Sequence, residues 1–191
     1  MLRDLVLKNR SYRRYYQDDP VEMDTLRELI DLARQTPSGA NMQPLKYALS
    51  NTPEKNARIF PTLAWAGYLP DWSGPEEGER PSAYVIILCD KQISSPTPSC
   101  DQGIAAQTIL LGAAEKGLGG CMIGSIKRAE LIKILELSEE RYEIVLVIAL
   151  GKPKETVVLD AVEASGSIKY WREPDGTHHV PKRALDDLIV G

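Results

Sequence analysis

The chain has 191 residues, 43% of them hydrophobic and 26% charged, an ordinary composition for one soluble domain with a sizeable core. Its net charge of −4 argues against general nucleic-acid binding, because that function usually needs a basic face. The sequence has no run of the roughly 20 apolar residues that a membrane-spanning helix needs, and its N-terminal residues do not resemble a signal peptide. Its three cysteines are widely spaced and form no CxxC pair. We therefore expect a cytoplasmic protein without disulfides or membrane segments.

Apolar residues recur at helical spacing in four segments, and a further stretch, residues 53–66, is weakly helical. The four predicted helices are, in chain order, residues 2–9, 24–36, 101–116 and 127–137. Short apolar runs bounded by turn residues predict strands at 45–50, 83–90 and 142–151. This mixed order favours a single α+β or α/β domain over residues 1–191, with a central sheet.

Residues 67–82 are predicted to form a long irregular loop, rich in Pro, Gly and acidic residues. Loops of this length inside a compact domain are usually functional or mobile. Because Trp65, Tyr68 and Trp72 lie beside or within this loop, we expect a substrate wall or lid here. The alternative is that these aromatic side chains pack in the core or against a second subunit.

The segment TPSGANMQP, residues 36–44, contains more small and amide side chains than a turn needs. Pro37 ends the preceding helix and Pro44 leads into a strand. Four residues have no role in such a turn: Ser38, Gly39, Asn41 and Gln43. They would suit a flat, hydrogen-bonding ligand that lies against an open backbone.

Cationic residues cluster at two places in this acidic chain. Arg10, Arg13 and Arg14 fall within five residues, and Ser11 adds a hydroxyl donor. Because arginine binds phosphate through paired hydrogen bonds, this cluster is a candidate anion site, with a solvated charged loop as the alternative. The second cluster, residues 182–183, indicates little by itself.

The glycine-rich segment GLGGCMIG, residues 117–124, follows a predicted helix. A dinucleotide-binding fingerprint must follow a strand and open a helix, so that interpretation fails. Gly117 is typical of a helix C-cap before a tight turn into a strand. Gly119, Gly120 and Gly124 exceed this need, and we expect that a flat ligand could lie on their backbone.

His178 and His179 are adjacent in a polar turn, and no third ligand is plausibly spaced for a metal. We therefore predict surface histidines and no metal site. The sequence also lacks the G-x-S-x-G, Walker and H-E-x-x-H motifs.

Taken together, these segments resemble the nitroreductase-like family of FMN-dependent oxidoreductases. The matching motifs are R-S-x-R at 10–13, P-S-x-x-N-x-Q-P at 37–44, D-x-G-x-A-x-Q at 101–107, G-L-G-G-x-x-I-G at 117–124, and a basic pair before a last short helix. Each motif is weak alone, but the five occur in family order over nearly the whole chain. The resemblance implies an α+β fold with a central, mainly antiparallel sheet surrounded by helices. It also implies an intertwined homodimer with FMN at each subunit interface.

The resemblance also implies which residues bind FMN. The phosphate or the pyrimidine end of the flavin would be bound by Arg10, Ser11, Arg13, Lys182 and Arg183. The isoalloxazine would be lined, from the partner subunit, by Pro37, Ser38, Gly39, Asn41 and Gln43. Its other side would be approached by the backbone of Ile123 and Gly124.

The implied activity is ping-pong hydride transfer from NAD(P)H through the flavin N5 to nitroaromatic or quinone-like acceptors, which needs no protein nucleophile. The sequence departs from the family pattern at two positions, which prevents assignment to a subfamily. Asn9 stands where many members have Arg, and Leu45 stands where many have an aromatic residue. Three alternatives stay open. The first is a specialised chemistry such as reductive dehalogenation or flavin-consuming oxidation, and the second is a flavin-binding module that stores or senses FMN without turnover. The third is a protein that has lost flavin and acts only as a dimeric scaffold.

Overall fold

The computed structural model describes residues 1–95 and 97–191. Its helices are α1 (Leu2–Lys8), α2 (Met23–Arg34), α3 (Pro53–Ile59), α4 (Pro98–Glu115) and α5 (Arg128–Ile134). Its strands are β1 (Tyr15–Tyr16), β2 (Leu45–Ser50), β3 (Ala83–Asp90), β4 (Gly119–Ile123), β5 (Tyr142–Pro153), β6 (Val157–Ala161), β7 (Trp171–Arg172) and β8 (His178–Lys182). In the part of the chain that is described, no helix is long and apolar enough to cross a membrane.

The central sheet has five strands in the order β1-β5-β3-β2, and β4 also pairs with β5. All of these pairings are antiparallel. Successive side chains of a strand point to opposite faces, so β3 supplies both cores. Its odd-numbered residues from Ala83 to Ile87 pack with α2 and α4, and its even-numbered residues from Tyr84 to Leu88 pack with α3 and α5. The predicted α+β fold with a mainly antiparallel sheet surrounded by helices is confirmed.

Helices α2 and α4 approach each other closely at Gly112. A Cβ atom at this position would lie 2.8 Å from a methyl carbon of Leu32 and 2.9 Å from one of Leu29, which is closer than real Cβ contacts allow. The small residue therefore lets α2 pack closely against α4.

The last forty residues form a second, three-stranded sheet that the sequence did not predict. In it, β6 and β8 run parallel, and β7 pairs with β8 in the antiparallel direction. Glu155, just before β6, is buried, and one of its oxygens accepts a 2.9 Å hydrogen bond from Arg172 of β7. The predicted last short helix is a single 3-10 turn, Leu185–Asp187.

Candidate functional site

The arginine-rich arm, residues 9–14, runs alongside β4. Its Ser11 forms a parallel bridge with Gly120, and the backbone N–H of Tyr12 donates to the Gly120 carbonyl at 3.0 Å. A Cβ atom at Gly119 would lie 2.4 Å from a ring carbon of Tyr12, and one at Gly120 would lie 2.6 Å from the Ala149 carbonyl oxygen. Packing within the chain thus explains these two glycines, which the sequence had led us to connect with a ligand.

Two other glycines of the same segment behave as expected from the sequence. Gly117 follows α4 and has a φ of +74°, so it is the left-handed residue that ends the helix. A Cβ atom at Gly124 would meet no heavy atom of the described residues within 4 Å. The backbone at Gly124 is therefore open to a ligand.

A cavity of about 350 Å³, here called the arginine cavity, lies between the arm, α4 and the C-terminal sheet. Its lining comprises Asn9, Arg10, Ser11, Arg13, Gln107, Leu110, Met122, Val157, Tyr170, His178, Val180 and Lys182. This set has three cationic side chains and, among the described residues, no carboxylate. A chain with a net charge of −4 thus concentrates positive charge at one concave place, which favours an anion there.

The cations differ in how far the protein itself occupies them. Arg10 donates through Nη2 to the Val6 carbonyl at 2.6 Å, while its buried Nε has no hydrogen-bond partner among the described residues. Lys182 ends β8 and is exposed at the cavity rim. Arg183 is also exposed, but it lies outside the cavity lining, so the structure brings only the first member of the predicted basic pair to the site.

Arg14 points away from the arginine cavity and has a structural role. It donates two hydrogen bonds to Glu79, at 2.5 and 2.7 Å, and the Lys154 ammonium lies 2.9 Å from the same carboxylate. The hydrogen bonds from Arg14, and then those from Lys154, lower the pKa of Glu79 to about 2. This cluster ties the arm to the loop over residues 67–82.

The prediction of two surface histidines is wrong for His178. This residue is fully buried, and its Nε2 lies 3.2 Å from Nη1 of Arg13. Burial, and then the positive charge of Arg13, lower the pKa of His178 to about 4. His179 is half-buried, and its Nδ1 lies 2.9 Å from an Asp160 oxygen. Sequence reasoning missed His178 because a short polar strand gives almost no hydrophobic signal.

A second cavity, of about 200 Å³, adjoins the first, since Arg13 and Met122 line both. It brings together the predicted residues Ile123, Gly124 and Trp65. Trp65 is 8% exposed, and its buried indole Nε1 has no hydrogen-bond partner among the described residues. The cavity therefore joins two buried apolar side chains, Trp65 and Ile123, to the charge of Arg13 at the shared wall.

The other two predicted aromatic residues contact the C-terminal sheet. Tyr68 is exposed, and its ring centroid lies 4.9 Å from that of Tyr170. Trp72 is half-buried, with the guanidinium of Arg172 4.4 Å from its ring centroid. These contacts join the loop over residues 67–82 to residues 170–172, at and beside β7, which pairs with the strand that carries His178 and Lys182. The role of the loop as a lid stays a prediction.

The TPSGANMQP segment is held in a strained conformation by a buried carboxylate. Asp101 of α4, 4% exposed, accepts a hydrogen bond from the Ser38 hydroxyl at 2.7 Å and one from the Gly39 N–H at 2.9 Å. Left-handed φ angles of 49°, 56° and 51° occur at the non-glycine residues Ala40, Asn41 and Gln43. Such angles are uncommon outside glycine and cluster at functional sites.

Within one chain this segment does not reach the arginine cavity. Pro37, Ser38 and Gln43 line a separate cavity of about 220 Å³, which shares no described residue with the arginine cavity. Helix α4 connects the two places, since Asp101 binds the segment and Gln107 lines the arginine cavity. A rise of 1.5 Å per residue puts them roughly 9 Å apart along the helix axis. The predicted site therefore falls into two halves on one rigid helix.

The two departures from the family pattern are accommodated in this geometry. Asn9 lines the arginine cavity, and its amide lies 3.4 Å from the Gln107 side-chain oxygen, so it binds α4 rather than adding a cation. Leu45 opens β2 and packs against the core formed with α2 and α4. In the described residues, no group of three or more His, Cys, Asp and Glu side chains is arranged to hold a metal ion.

Comparison with known proteins identifies the family. A model of the nitroreductase family matches residues 6–69 and 81–152. This chain therefore belongs to the nitroreductase family. YodC of Bacillus subtilis strain 168, provisionally named an NAD(P)H nitroreductase, is 26% identical over 177 residues, which cover 77% of this chain and 87% of YodC.

Solved structures show the same fold. A nitroreductase-type protein from Desulfovibrio desulfuricans, determined in complex with FMN, is 21% identical and superposes with a TM-score of 0.73, covering 100% of this chain and 95% of its own. The enone reductase CLA-ER, which acts in gut-bacterial fatty acid saturation, is 21% identical with a TM-score of 0.66, covering 80% and 89%. At this identity the likeness concerns the fold.

Proposed function

We propose that this protein is an FMN-dependent oxidoreductase that takes electrons from NAD(P)H and passes them to a nitroaromatic or quinone-like acceptor. Support comes from membership of the nitroreductase family, from the FMN complex of the Desulfovibrio desulfuricans protein and from the name of YodC. The observation that carries the proposal is the arginine cavity, which has three cations and no carboxylate among its described lining residues.

The residues of the arginine cavity fit the phosphate end of FMN. The phosphate carries nearly two negative charges, and an acidic chain can hold it only where cations converge. Arg10 and Lys182 supply cations here, Arg13 lies at the wall shared with the smaller cavity, and the buried Nε of Arg10 is a donor still without an acceptor among the described residues. The Ser11 hydroxyl adds a further donor. Arg183 would contact the phosphate only if a second subunit or a small side-chain movement brought it to the cavity.

The residues around the smaller cavity fit the redox-active end. FMN supplies hydride chemistry at N5, which lets the same pocket serve the donor and the acceptor in turn. The Arg13 guanidinium would supply a positive charge to stabilise the negative charge that develops during reduction. Ile123 and Trp65 would supply apolar contacts at this wall, and the open backbone at Gly124 would let a flat ring approach. No protein nucleophile is required.

The proposed active form is a homodimer with FMN at the subunit interface. Every residue of α1 stays partly or fully solvent-exposed, including Leu2, and Val190 near the C-terminus is 94% exposed. Exposed apolar surface of this kind is characteristic of an interface. In such a dimer the strained segment, Pro37 to Gln43, would reach the isoalloxazine of the partner subunit, which would unite the two halves of the site.

Two other functions compete with this proposal. A flavin-binding module that stores or senses FMN would need the same cations, and it would bind FMN without accepting electrons from a nicotinamide. A specialised member, for example a reductive dehalogenase, would accept those electrons and deliver them to a different substrate. Reduction of the bound flavin by NADH or NADPH separates the first alternative, and a panel of electron acceptors separates the second.

Binding of FMN and riboflavin to two matched lysine variants tests the proposed phosphate site. Lys182→Met removes a cation of the arginine cavity, whereas Lys169→Met removes an exposed lysine outside its lining. From quenching of flavin fluorescence we expect about tenfold weaker FMN binding for Lys182→Met, because one charge-assisted contact is lost, and unchanged binding for Lys169→Met. Riboflavin, which lacks the phosphate, should bind both variants equally. Absence of FMN binding by the unaltered protein would contradict the proposed function.

A further inference from the structure

The side chain of Arg13 makes contacts beyond the groups that fix its backbone. Its backbone N–H donates to Glu155, and the neighbouring Tyr12 N–H donates to β4. Its guanidinium Nη1 donates to the Ser11 carbonyl of the arm at 3.2 Å and lies 3.2 Å from Nε2 of His178, and the guanidinium carbon is 4.9 Å from the ring centroid of Tyr170. The path of the arm therefore does not depend on His178, whereas His178 is one of the groups that direct the guanidinium.

The hydrogen bond between Arg13 and His178 requires an uncharged imidazole with its proton on Nδ1. A guanidinium only donates, so Nε2 of His178 must be the acceptor. The charged and polar groups that act on this ring are those of Arg13, Arg172, Tyr170 and the adjacent His179, and Glu155 accepts a hydrogen bond from Arg172. Burial, and then the cations Arg13 and Arg172, lower the pKa of His178 to about 4, so the ring is uncharged at neutral pH.

We propose that His178 is a positioning residue for the cofactor site, an inference that rests on the proposed function. It holds the Arg13 guanidinium at the wall that the two cavities share, as a hydrogen-bond acceptor that carries no charge of its own. A carboxylate in its place would neutralise Arg13, and a cation would repel it. A neutral acceptor fixes the direction of the guanidinium and leaves its full positive charge for an anionic cofactor.

The geometry separates this role from simple filling of the core. A side chain that only filled space would stabilise the C-terminal sheet without regard to hydrogen bonding. The Arg13 contact instead needs an acceptor atom at the position of Nε2, which the side-chain oxygen of glutamine can occupy and leucine cannot supply. His179 is the matched neighbour, because it lies on the same strand and contacts Asp160 rather than Arg13.

FMN affinity, measured by fluorescence quenching, tests the proposal with three single variants. For His178→Leu we expect binding weaker by about tenfold, because the guanidinium loses a charge-assisted contact. His178→Gln should restore most of the affinity, and His179→Gln should match the unaltered protein. Affinity of His178→Leu within about twofold of the unaltered protein, or equal weakening by Gln and Leu, would overturn the proposal.

A double variant shows whether His178 acts through Arg13. In an Arg13→Met background, His178→Leu should leave the remaining FMN affinity unchanged, because the contact it would break is already absent. A further loss of affinity in this background would mean that His178 acts on the cofactor by another route, and would contradict the proposed mode of action.

The state of the imidazole is measurable without any cofactor, which separates this inference from the proposed function. Nitrogen-15 NMR of the histidine side chains in the folded protein should show His178 with its proton on Nδ1 and with Nε2 unprotonated at neutral pH. A charged ring, or a proton on Nε2, would overturn the inference even if FMN binds. If the unaltered protein binds no FMN, the proposed function fails, while the NMR measurement still decides whether His178 accepts from Arg13.

Discussion

Replacement of Asp101 tests how the TPSGANMQP segment is held in place. This carboxylate is 4% exposed and accepts hydrogen bonds from the Ser38 hydroxyl and the Gly39 N–H. Hydrogen bonds to charged groups contribute about 1.5–3 kcal/mol each, so loss of both hydrogen bonds in Asp101→Ala should lower the free energy of unfolding by about 3–6 kcal/mol. That is a large part of the roughly 5–15 kcal/mol that stabilises a typical domain.

The control for this prediction is Asp101→Asn. An asparagine side chain can accept from the Gly39 N–H with its oxygen and donate to the Ser38 hydroxyl with its nitrogen, so it keeps both contacts without the charge. Urea denaturation followed by circular dichroism should therefore show a clearly smaller loss for Asn than for Ala. Equal losses in the two variants, or a loss below about 1 kcal/mol for Ala, would refute the reasoning.

Three further predictions concern other parts of the fold. Gly119→Ala should lower the midpoint of urea denaturation, since its Cβ would lie 2.4 Å from the Tyr12 ring, whereas Gly124→Ala should leave it unchanged because that position is open. Equal midpoints would contradict the packing explanation. The pKa of about 4 for His178, against 6.5 for an ordinary histidine, means that the unfolded chain binds a proton that the folded chain excludes. Stability should therefore be complete above about pH 6.5 and fall as the pH drops toward 4, and His178→Gln should flatten this part of a pH series of urea denaturations. Glu79→Gln should increase proteolytic cleavage within residues 67–82, because it weakens the salt bridges to Arg14 and Lys154. Cleavage at the rate of the unaltered protein would show that these salt bridges do not anchor the loop.

The central sheet could be predicted from the sequence because its strands are apolar runs bounded by turn residues. The predicted ranges 45–50 and 83–90 coincide with β2 and β3. The C-terminal sheet could not be predicted, since β6 to β8 are short, β7 and β8 are largely polar, and the sheet depends on distant contacts such as the bond between Arg172 and Glu155. Local sequence carries little information on such pairings.

The candidate site was predictable at the level of residue types and less so at the level of their roles. The clustering of arginine in an acidic chain indicated an anion site, and the structure places Arg10 and Arg13 with Lys182 at one cavity. The sequence could not distinguish Arg14, which binds Glu79, because its neighbours in space are 65 residues away. It also gave no reason to expect His178 behind Arg13, since a buried polar contact between distant segments leaves no periodic pattern.

Anaerobic reduction of the FMN-loaded protein tests the central claim most directly. NADH or NADPH should bleach the visible absorbance of the bound flavin with one equivalent of nicotinamide per flavin, and a quinone or nitroaromatic compound should then restore it. Bound FMN that dithionite reduces, but that neither nicotinamide reduces, would contradict the oxidoreductase proposal and favour a storage or sensing role.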